Sequence, residues 1–429
     1  ALARTNLIVE RSDGELWGRV KINGNLITDF ANSLETLKKK IKAAIFDIEG
    51  IKIEEFDVSY DLTAFFEELH MHPELSYEEY ETTERIKREL VAAGIEILQI
   101  PLKTGVVAIV RGAKPGKTYG LRCDIDALPI AEETDIPYKS KTPGKMHACG
   151  HDFHTAAVFG AALLLQERKE ELQGTVKILF QPAEESSHGA ETVLETGVLS
   201  DVTAIFGLHT AAYLPVGTLG IRAGSVMAAV DRFELNITGT GCHGGHPDEG
   251  VDTILAAASV IQAFQSIVGR NLNPFHTGVV SVTRINGGNT WNVIPDKVEL
   301  EGTVRSMEKD DRIFIEKRMR EIAEHTAAAY GANAELLWYP GPPATVNEKA
   351  WSAFAQKVAE ESGFEVVPQR NSTGGEDFAF YLEKIPGCFI NVGTGVGYPN
   401  HHPKFYADEA ALTPAAEYLA KLLVEALRQ

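Results

Sequence analysis

One short stretch of the chain has an unusual density of side chains that bind metals. A cysteine thiolate beside imidazoles suits borderline divalent metals such as zinc, manganese, cobalt or nickel. Taken alone, the stretch is also compatible with a histidine-rich start of a helix that carries one buried cysteine. It contains three histidines, one cysteine and one aspartate, in the order His147-Ala148-Cys149-Gly150-His151-Asp152-Phe153-His154.

Two adjacent carboxylates, Glu184 and Glu185, follow a short apolar run that ends at Phe180. At the end of a strand, one carboxylate can ligate a metal while its neighbour accepts a proton from an activated water. The pair is equally typical of an acidic helix start, where carboxylates interact favourably with the helix dipole.

Further histidines occur later in the chain. His209 follows the apolar run 203–206, and His401 and His402 lie in a loop far downstream. Each histidine alone is more typical of a surface or a core than of a metal site. Because ligands converge at the carboxyl ends of strands in open α/β sheets, the cysteine, the histidines and a glutamate are predicted to meet at one sheet edge.

The elements that must position these residues begin at residue 62, where apolar runs alternate with helical periods in the manner of an α/β domain. The helix predicted over 156–166 begins just after the histidine-rich stretch. The other predicted helices are 62–70 and 83–93, and the predicted strands are 105–110, 118–124 and 175–180.

Near residue 230 the pattern changes to β-α-β-β-α-β, which is typical of a ferredoxin-like sandwich. The predicted strands are 233–238, 278–285, 297–305 and 333–338, and the predicted helices are 253–267 and 312–330. We therefore expect an inserted α+β domain over 229–341. The surrounding domain is expected to comprise 58–228 and 342–429.

Residues 1–57 differ from the rest of the chain. Strand-like runs over 6–10, 16–22 and 26–30 alternate with Ser12-Asp13-Gly14 and Asn23-Gly24 turn signals, and a helix and a strand over 53–60 follow. This βββαβ pattern resembles the small HicB-like fold, a partial double-stranded-RNA-binding fold. We expect an accessory or fused module without catalytic residues.

Composition excludes several function classes. The 429 residues include 41 basic and 60 acidic side chains, a formal charge of -19, so no basic stripe predicts a nucleic-acid partner. No apolar run approaches the roughly 20 residues of a membrane span. No signal peptide is visible, and four cysteines do not make a disulfide framework, which favours a cytoplasmic location.

Further motifs occur in a fixed order on both sides of these clusters: His70-Met71-His72-Pro73-Glu74-Leu75-Ser76, Arg122-Cys123-Asp124-Ile125-Asp126-Ala127-Leu128-Pro129, Asn292-Val293-Ile294-Pro295-Asp296, Glu301-Gly302-Thr303-Val304-Arg305, Gly375-Glu376-Asp377-Phe378 and His401-His402-Pro403. With them, the chain from about residue 62 to its end resembles the di-metal amidohydrolases. That family includes aminoacylases, hippurate hydrolases, auxin-conjugate hydrolases and N-acetyl-diaminopimelate deacetylases.

The resemblance implies a fold, a metal centre and roles for individual residues. The fold is a mixed-sheet α/β hydrolase domain with an inserted ferredoxin-like lid domain, here preceded by the small N-terminal βββαβ unit. His401 rather than His402 is implied as a ligand because the family pattern is histidine, any residue, proline. Cys149 is implied as a bridging thiolate. The implied ligands of two divalent ions (Zn, Mn, Ni or Co) are Cys149, His151, Glu185, His209 and His401.

The resemblance also implies the groups that act on the substrate. Glu184 is the implied general base and later proton donor, and Asp124 and Asp126 are implied to orient the ligands. In the inserted domain, His243 is implied to polarise the scissile carbonyl. Asn292 and Arg305 are implied to hold the oxyanion or the substrate carboxylate.

The expected reaction is hydrolysis of an N-acyl amino acid, with a homodimer or homotetramer as the possible assembly. One alternative is a dipeptidase or carboxypeptidase on the same fold. A second is a non-catalytic metal-binding regulator, in which Glu184 and His243 would have no purpose. A third is a nucleic-acid or toxin partner joined to an enzyme through residues 1–57. The acyl group, the amino-acid preference and the native metal are left open by the sequence.

Overall fold

The computed structural model describes residues 3–12 and 15–429, so that the turn predicted at Asp13-Gly14 lies outside the described residues. The chain forms two compact units. The first comprises Ala1–Arg222, Glu348–Gln369 and Lys384–Gln429, and the second comprises Ala223–Asn347 and Arg370–Glu383. Within the described residues, every helix is too short or too polar to cross a bilayer.

The N-terminal part of the first unit has the predicted βββαβ order. Its elements are β1 (Ala3–Ser12), β2 (Glu15–Ile22), β3 (Asn25–Ala31), α1 (Leu34–Glu49) and β4 (Ile53–Asp61). The sheet order is β3-β2-β1-β4, with β4 parallel to β1. Helix α1 buries Leu37, Ile41 and Ile45, which recur at helical spacing, and Gly50 ends it in the left-handed conformation.

The next part of the first unit alternates helices and strands, as expected for an α/β domain. Its helices are α2 (Thr63–Met71), α3 (Tyr80–Ala92), α4 (His151–Glu167) and α5 (Gly189–Glu195). Its strands are β5 (Glu96–Ile97), β6 (Val106–Arg111), β7 (Lys114–Asp124), β8 (Gln173–Gln181), β9 (Val202–Ala211) and β10 (Thr218–Gly220).

The second unit contains the predicted β-α-β-β-α-β sequence as a four-stranded antiparallel sheet. The order of its strands is β14-β16-β12-β17, which is the ferredoxin-like arrangement. Its elements up to residue 347 are β11 (Gly224–Met227), β12 (Ala229–Thr238), β13 (Cys242–His243), α6 (Thr253–Ser266), β14 (Gly278–Gly287), β15 (Val293–Ile294), β16 (Lys297–Ser306), α7 (Lys309–Ala329), β17 (Asn333–Pro340) and β18 (Thr345–Asn347).

The rest of the chain completes the large sheet of the first unit. Its elements are α8 (Lys349–Glu361), β19 (Glu365–Val367), α9 (Phe378–Leu382, in the second unit), β20 (Gly387–Gly393) and α10 (Leu412–Leu427). The eight strands follow the order β19-β10-β20-β9-β7-β8-β6-β5. Because β20, β9, β7 and β8 run parallel while β6 is antiparallel to β8, the sheet is mixed, as predicted.

Two element boundaries differ from the sequence predictions. Helix α4 was predicted from residue 156, but it begins at His151, inside the histidine-rich stretch. His209 was predicted to follow its strand, but it lies within β9, where it pairs in register with Asn391 of β20. In both places tertiary partners stabilise polar residues in a regular element, which apolar periodicity does not reveal.

Helix α4 is buried on all sides and packs against α10. Gly160 allows the close approach, because a Cβ atom there would lie 2.5 Å from Leu62 Cδ1 and 2.8 Å from Ala416 Cβ. The helix that carries His151 in its first turn is therefore fixed in the core of the first unit.

The N-terminal βββαβ part shares its apolar core with the rest of the first unit. Leu7 and Val9 belong to the same buried cluster as Leu62 and Phe65 of the following segment. Two polar contacts reinforce the junction: the Tyr60 hydroxyl donates to Glu167 at 2.5 Å, and the Thr413 hydroxyl donates to the Tyr60 carbonyl at 3.0 Å.

Deletion of residues 1–57 should lower the midpoint of thermal unfolding by about 5 °C or more, because α2 loses the apolar surface of β1. Steady-state constants should change by no more than a few-fold, since no candidate site residue lies in that segment. Scanning calorimetry and kinetics on both proteins check this. Leu26→Ser, at a side chain 64% exposed, is the control and should leave the midpoint near that of wild type. An unchanged midpoint after deletion would contradict the shared core.

Candidate metal centre

Three parallel strands, β9, β7 and β8, lie side by side with their carboxyl ends at one edge of the large sheet. Strand β7 ends at Asp124, β8 leads into Glu184 and Glu185, and β9 carries His209 near its end. The polar side chains of three separate chain segments are thereby gathered at this edge.

His151 is fully buried in the first turn of α4. Its Nδ1 donates to Asp126 Oδ1 at 3.0 Å. The opposite ring nitrogen, Nε2, therefore faces Asp124 Oδ2 at 3.3 Å and Glu185 Oε1 at 3.7 Å. Burial lowers the pKa of His151, but Asp124, Asp126 and Glu185 outweigh burial and raise the pKa to about 10. A positive charge, either a proton or a metal ion, is therefore favoured at Nε2.

His209 is oriented in the same way from a different strand. Its Nδ1 donates to the Thr210 carbonyl at 2.9 Å, which leaves Nε2 facing the Cys149 sulfur at 3.5 Å. A neutral histidine whose Nδ1–H donates to a carbonyl has an unprotonated Nε2. The lone pair of that nitrogen can bind a metal, which is the usual arrangement in metal-binding imidazoles.

Cys149 occupies the centre of the cluster. Its thiol is buried, and burial together with Glu185, Glu184 and Asp124 raises the pKa well above the usual value. A thiolate at this position consequently requires a cation to offset the surrounding negative charge.

Two sets of potential ligand atoms share the Cys149 sulfur. One set is completed by His151 and His209, and the other by Glu185 and His401; within each set the atoms lie within 4.8 Å of one another. A sulfur common to two adjacent triads is in the position that a bridging ligand requires.

Of the two neighbouring histidines in the last motif, His401 lies in the cluster. Its Nε2 is 3.3 Å from Glu185 Oε1, and its backbone N–H donates to the Ala148 carbonyl at 2.7 Å. His402 is otherwise engaged: its Nδ1 accepts the Lys404 N–H at 3.0 Å and its ring stacks on Tyr398.

Buried atoms without hydrogen bonds provide a test of whether a metal fits this site. Within the described part of the chain, Asp124 Oδ2, His151 Nε2 and Glu185 Oε1 are buried and make no hydrogen bond. Buried polar atoms are normally paired, and these three lie among donors of the types that bind divalent ions. The residues therefore fit a metal centre.

His154 is the one histidine of the stretch that the structure excludes as a ligand at both ring nitrogens. Its Nδ1 lies 2.6 Å from Asp124 Oδ1, and its Nε2 accepts the Thr210 N–H at 2.9 Å. Burial lowers the pKa of His154 to about 3, so the ring is neutral. Asp124 also interacts with a second residue, because its Oδ2 lies 3.4 Å from Nη1 of the buried Arg122.

A buried ion network that the sequence reasoning missed lies beside the cluster. His70 of α2 faces Asp152 through Nδ1 at 2.7 Å and Glu132 through Nε2 at 2.9 Å, and all three side chains are 2% exposed. Burial lowers the pKa of His70, but the two carboxylates outweigh it and raise the pKa to about 9. The sequence indicated His70 only as the first residue of the motif His70–Ser76, and that motif assigned no role to it.

Three of the candidate residues lie in the second unit. His243 of β13 is exposed, and its Nδ1 accepts the Gly245 N–H at 2.9 Å, so a neutral ring carries its proton on Nε2. Strand β13 pairs with β15, and the Gly244 N–H donates to the Asn292 carbonyl at 2.8 Å, which brings His243 and Asn292 onto one ribbon. Arg305 of β16 donates through Nε to the Thr373 carbonyl at 3.0 Å.

Comparisons with known proteins give a consistent result. The model of peptidase family M20/M25/M40 matches residues 120–425. An N-acetylcysteine deacetylase of Bacillus subtilis (strain 168) is 51% identical over 358 residues, which cover 83% of this chain and 94% of that protein. A thermostable carboxypeptidase of Saccharolobus solfataricus is 38% identical over 366 residues, 83% of this chain and 93% of that protein.

Among solved structures, the chain is similar to the YXEP protein of Bacillus subtilis, described as a dinuclear metal binding peptidase from the M20 family. The two share 48% sequence identity and superpose with a TM-score of 0.79 over 86% of this chain and 98% of that one.

Replacement of His70 by glutamine should make stability less dependent on pH. The pKa of His70 is about 9 in the folded protein and 6.5 in an unperturbed histidine, which represents the unfolded chain. The charged histidine therefore stabilises the fold fully below pH 6.5, and this contribution is lost as pH rises through 9. The variant should be less stable by about 3 kcal/mol at pH 6 and by less than about 1 kcal/mol at pH 9.

Urea unfolding of both proteins at the two pH values, under identical metal loading, measures the difference. His188→Gln is the matched control, since His188 pairs with Glu191 at the surface, where ion pairs contribute little. An equal difference at pH 6 and pH 9 would contradict the charged state of His70.

Proposed function

The chain belongs to peptidase family M20/M25/M40, and from that membership we propose that it hydrolyses the amide bond of N-acyl amino acids. The products are a carboxylic acid and a free amino acid. As a member of this family the protein is a metal-dependent amide hydrolase; the acyl-amino-acid substrate and the roles of individual residues are our proposal. The relative named N-acetylcysteine deacetylase, at 51% identity, supports this substrate class.

The observation on which the proposal chiefly depends is the pair of donor triads that share Cys149, with Glu184 beside them. Glu184 is 7% exposed, and its Oε2 lies 3.8 Å from His151 Nε2. Glu184 belongs to neither triad that contains the sulfur, whereas Glu185 belongs to one. We assign metal binding to Glu185 and proton transfer to Glu184 on this difference.

Cys149, His151, Glu185, His209 and His401 would hold two divalent ions, which would supply Lewis acidity and lower the pKa of a bound water toward neutrality. Glu184 accepts the proton of the attacking water and later donates it to the leaving amine. Asp126 keeps the proton on His151 Nδ1, and the Thr210 carbonyl keeps it on His209 Nδ1. Both imidazoles therefore present Nε2 as an electron-pair donor.

The second unit provides the proposed electrophilic assistance, and we retain the lid over residues 229–341 as a proposal. Since the Gly245 N–H occupies Nδ1 of His243, the exposed Nε2–H is free to donate to the developing oxyanion. Asn292, on the same ribbon, and Arg305 are assigned to the oxyanion or the substrate carboxylate on the basis of the family resemblance.

A peptidase acting on dipeptides or on carboxyl-terminal residues is the second candidate. It is favoured by the relative named carboxypeptidase, at 38% identity. Parallel assays of N-acetyl amino acids and of dipeptides with free amino termini, each with zinc, manganese, nickel and cobalt, distinguish the two. Faster turnover of the dipeptides would replace the proposed substrate class.

Two further assignments accompany the proposal. All four cysteines are free, which suits a reducing compartment, and we propose a cytoplasmic location. A homodimer or homotetramer is the proposed assembly, which sedimentation measurements test directly.

Glu184→Ala should abolish hydrolysis and leave both metals bound, because it removes the base and no ligand. Cys149→Ser is the matched contrast: it should lose metal sharply, since a hydroxyl is a far poorer bridging ligand than a thiolate. Elemental analysis and activity assays on the two variants check the assignment. Loss of metal from Glu184→Ala would reverse the roles of Glu184 and Glu185.

His243→Ala should lower kcat about a hundredfold with little change in KM and in metal content, because the contact is made mainly in the transition state. His246→Ala, at the ring whose centroid lies 4.8 Å from that of His243, serves as the control for local disturbance. A raised KM with kcat preserved would identify His243 as a group that binds the ground state.

A further inference from the structure

The turn that presents the two catalytic-site glutamates has an unfavourable backbone conformation. We call residues 182–185 the elbow. Ala183 has φ 55° and ψ 39°, in the left-handed region that residues with a Cβ atom seldom adopt. Such conformations persist only where the surroundings impose them, and they concentrate at functional sites.

A buried carboxylate from another segment holds this backbone. Glu79, the residue before α3, is completely buried, and its Oε2 accepts the N–H of Ala183 at 2.7 Å. Its Oε1 accepts the Thr104 hydroxyl at 3.0 Å. Burying a carboxyl group is unfavourable unless it is hydrogen-bonded, and here the Ala183 N–H and the Thr104 hydroxyl provide those hydrogen bonds.

Close packing restricts the other sides of the elbow. A Cβ atom on Gly105 would lie 2.7 Å from Pro182 Cδ, and one on Gly189 would lie 1.9 Å from the Pro182 carbonyl oxygen. Asp126 accepts the Glu185 N–H at 2.9 Å. The elbow is therefore held by two carboxylates, which accept the backbone N–H groups of Ala183 and Glu185, and by close packing against Gly105 and Gly189.

We propose that Glu79 is a positioning residue that stabilises the left-handed conformation of Ala183 and thereby aims Glu184 and Glu185 at the metal centre. The part that concerns Glu184 rests on the proposed function, whereas the part that concerns Glu185 requires metal binding alone. The Glu79 carboxylate accepts from the Ala183 N–H and from the Thr104 hydroxyl, and it acts on the two glutamates through the backbone of Ala183.

The test exploits the freedom of glycine to adopt positive φ without a Cβ penalty. In wild-type background, Glu79→Ala should lower kcat about tenfold or more with KM nearly unchanged, and should weaken Co2+ binding about tenfold. In the Ala183→Gly background, Glu79→Ala should lower kcat and Co2+ affinity by less than about threefold each. Glycine adopts the positive φ of position 183 without the hydrogen bond to Glu79. Glu79→Gln, which keeps an acceptor oxygen, should stay within about threefold of wild type.

Titration with Co2+ alone, followed by the visible absorption of the cobalt–thiolate centre, needs no substrate. If wild type binds Co2+ but hydrolyses no acyl amino acid, the proposed function fails while the elbow is still tested. Glu89→Ala is the control: it removes a partly buried carboxylate from α3, the helix that Glu79 precedes, where Glu89 accepts from Arg11, and it should leave kcat and Co2+ affinity unchanged.

The outcome that overturns the proposal is an equal cost of Glu79→Ala in the alanine and glycine backgrounds, since Glu79 would then serve the fold and not the elbow. If Glu79→Ala does not fold, Glu79→Asp replaces it in both backgrounds. Aspartate keeps the charge but withdraws the carboxylate by one methylene from the Ala183 N–H, and the same inequality between backgrounds is expected.

Discussion

Negative charge held away from water is the constraint on which the first unit depends. Asp124, Asp126, Glu184 and Glu185 reach one sheet edge, each at most partly exposed, beside a thiol whose pKa Glu185, Glu184 and Asp124 help to raise. Isolated buried charges are strongly unfavourable, so each must be paired with a cation or with several hydrogen-bond donors. The buried Arg122, the imidazoles and the proposed metal ions are the positive partners of this cluster, and the carboxyl ends of three adjacent parallel strands bring them together.

The same constraint explains why hydrogen bonds to backbone groups surround the site. A metal-binding histidine commonly donates the N–H of its other ring nitrogen to an acceptor, and here Asp126 accepts from His151 and the Thr210 carbonyl accepts from His209. His154 has both nitrogens engaged and is therefore neutral and structural. His151, the proposed ligand, and His154 thus differ in their hydrogen-bond partners, although both are histidines of one short stretch.

Rigidity around the centre comes from packing that extends well beyond it. Helix α4 is buried from His151 to Leu163, and its close contact with α10 through Gly160 leaves the first turn little freedom. The N-terminal βββαβ part contributes to the same apolar core, although it contains no candidate site residue. It shares one apolar core with the rest of the first unit, and the sequence-based expectation of an accessory or fused module stays a prediction.

The sequence by itself determined the element order, the ferredoxin-like insertion and the types of residue at the metal site, because apolar periodicity and motif spacing are local properties of the chain. The choice of His401 over His402 as a metal ligand depended on a family pattern. The sequence assigned no role to His70, Asp152 or Glu79. Those distinctions depend on distances between residues far apart in the chain, such as 2.7 Å from Glu79 to the Ala183 N–H. Only the tertiary structure decides which buried polar atoms meet, since partner choice is fixed by the packing of separate segments and not by local propensity.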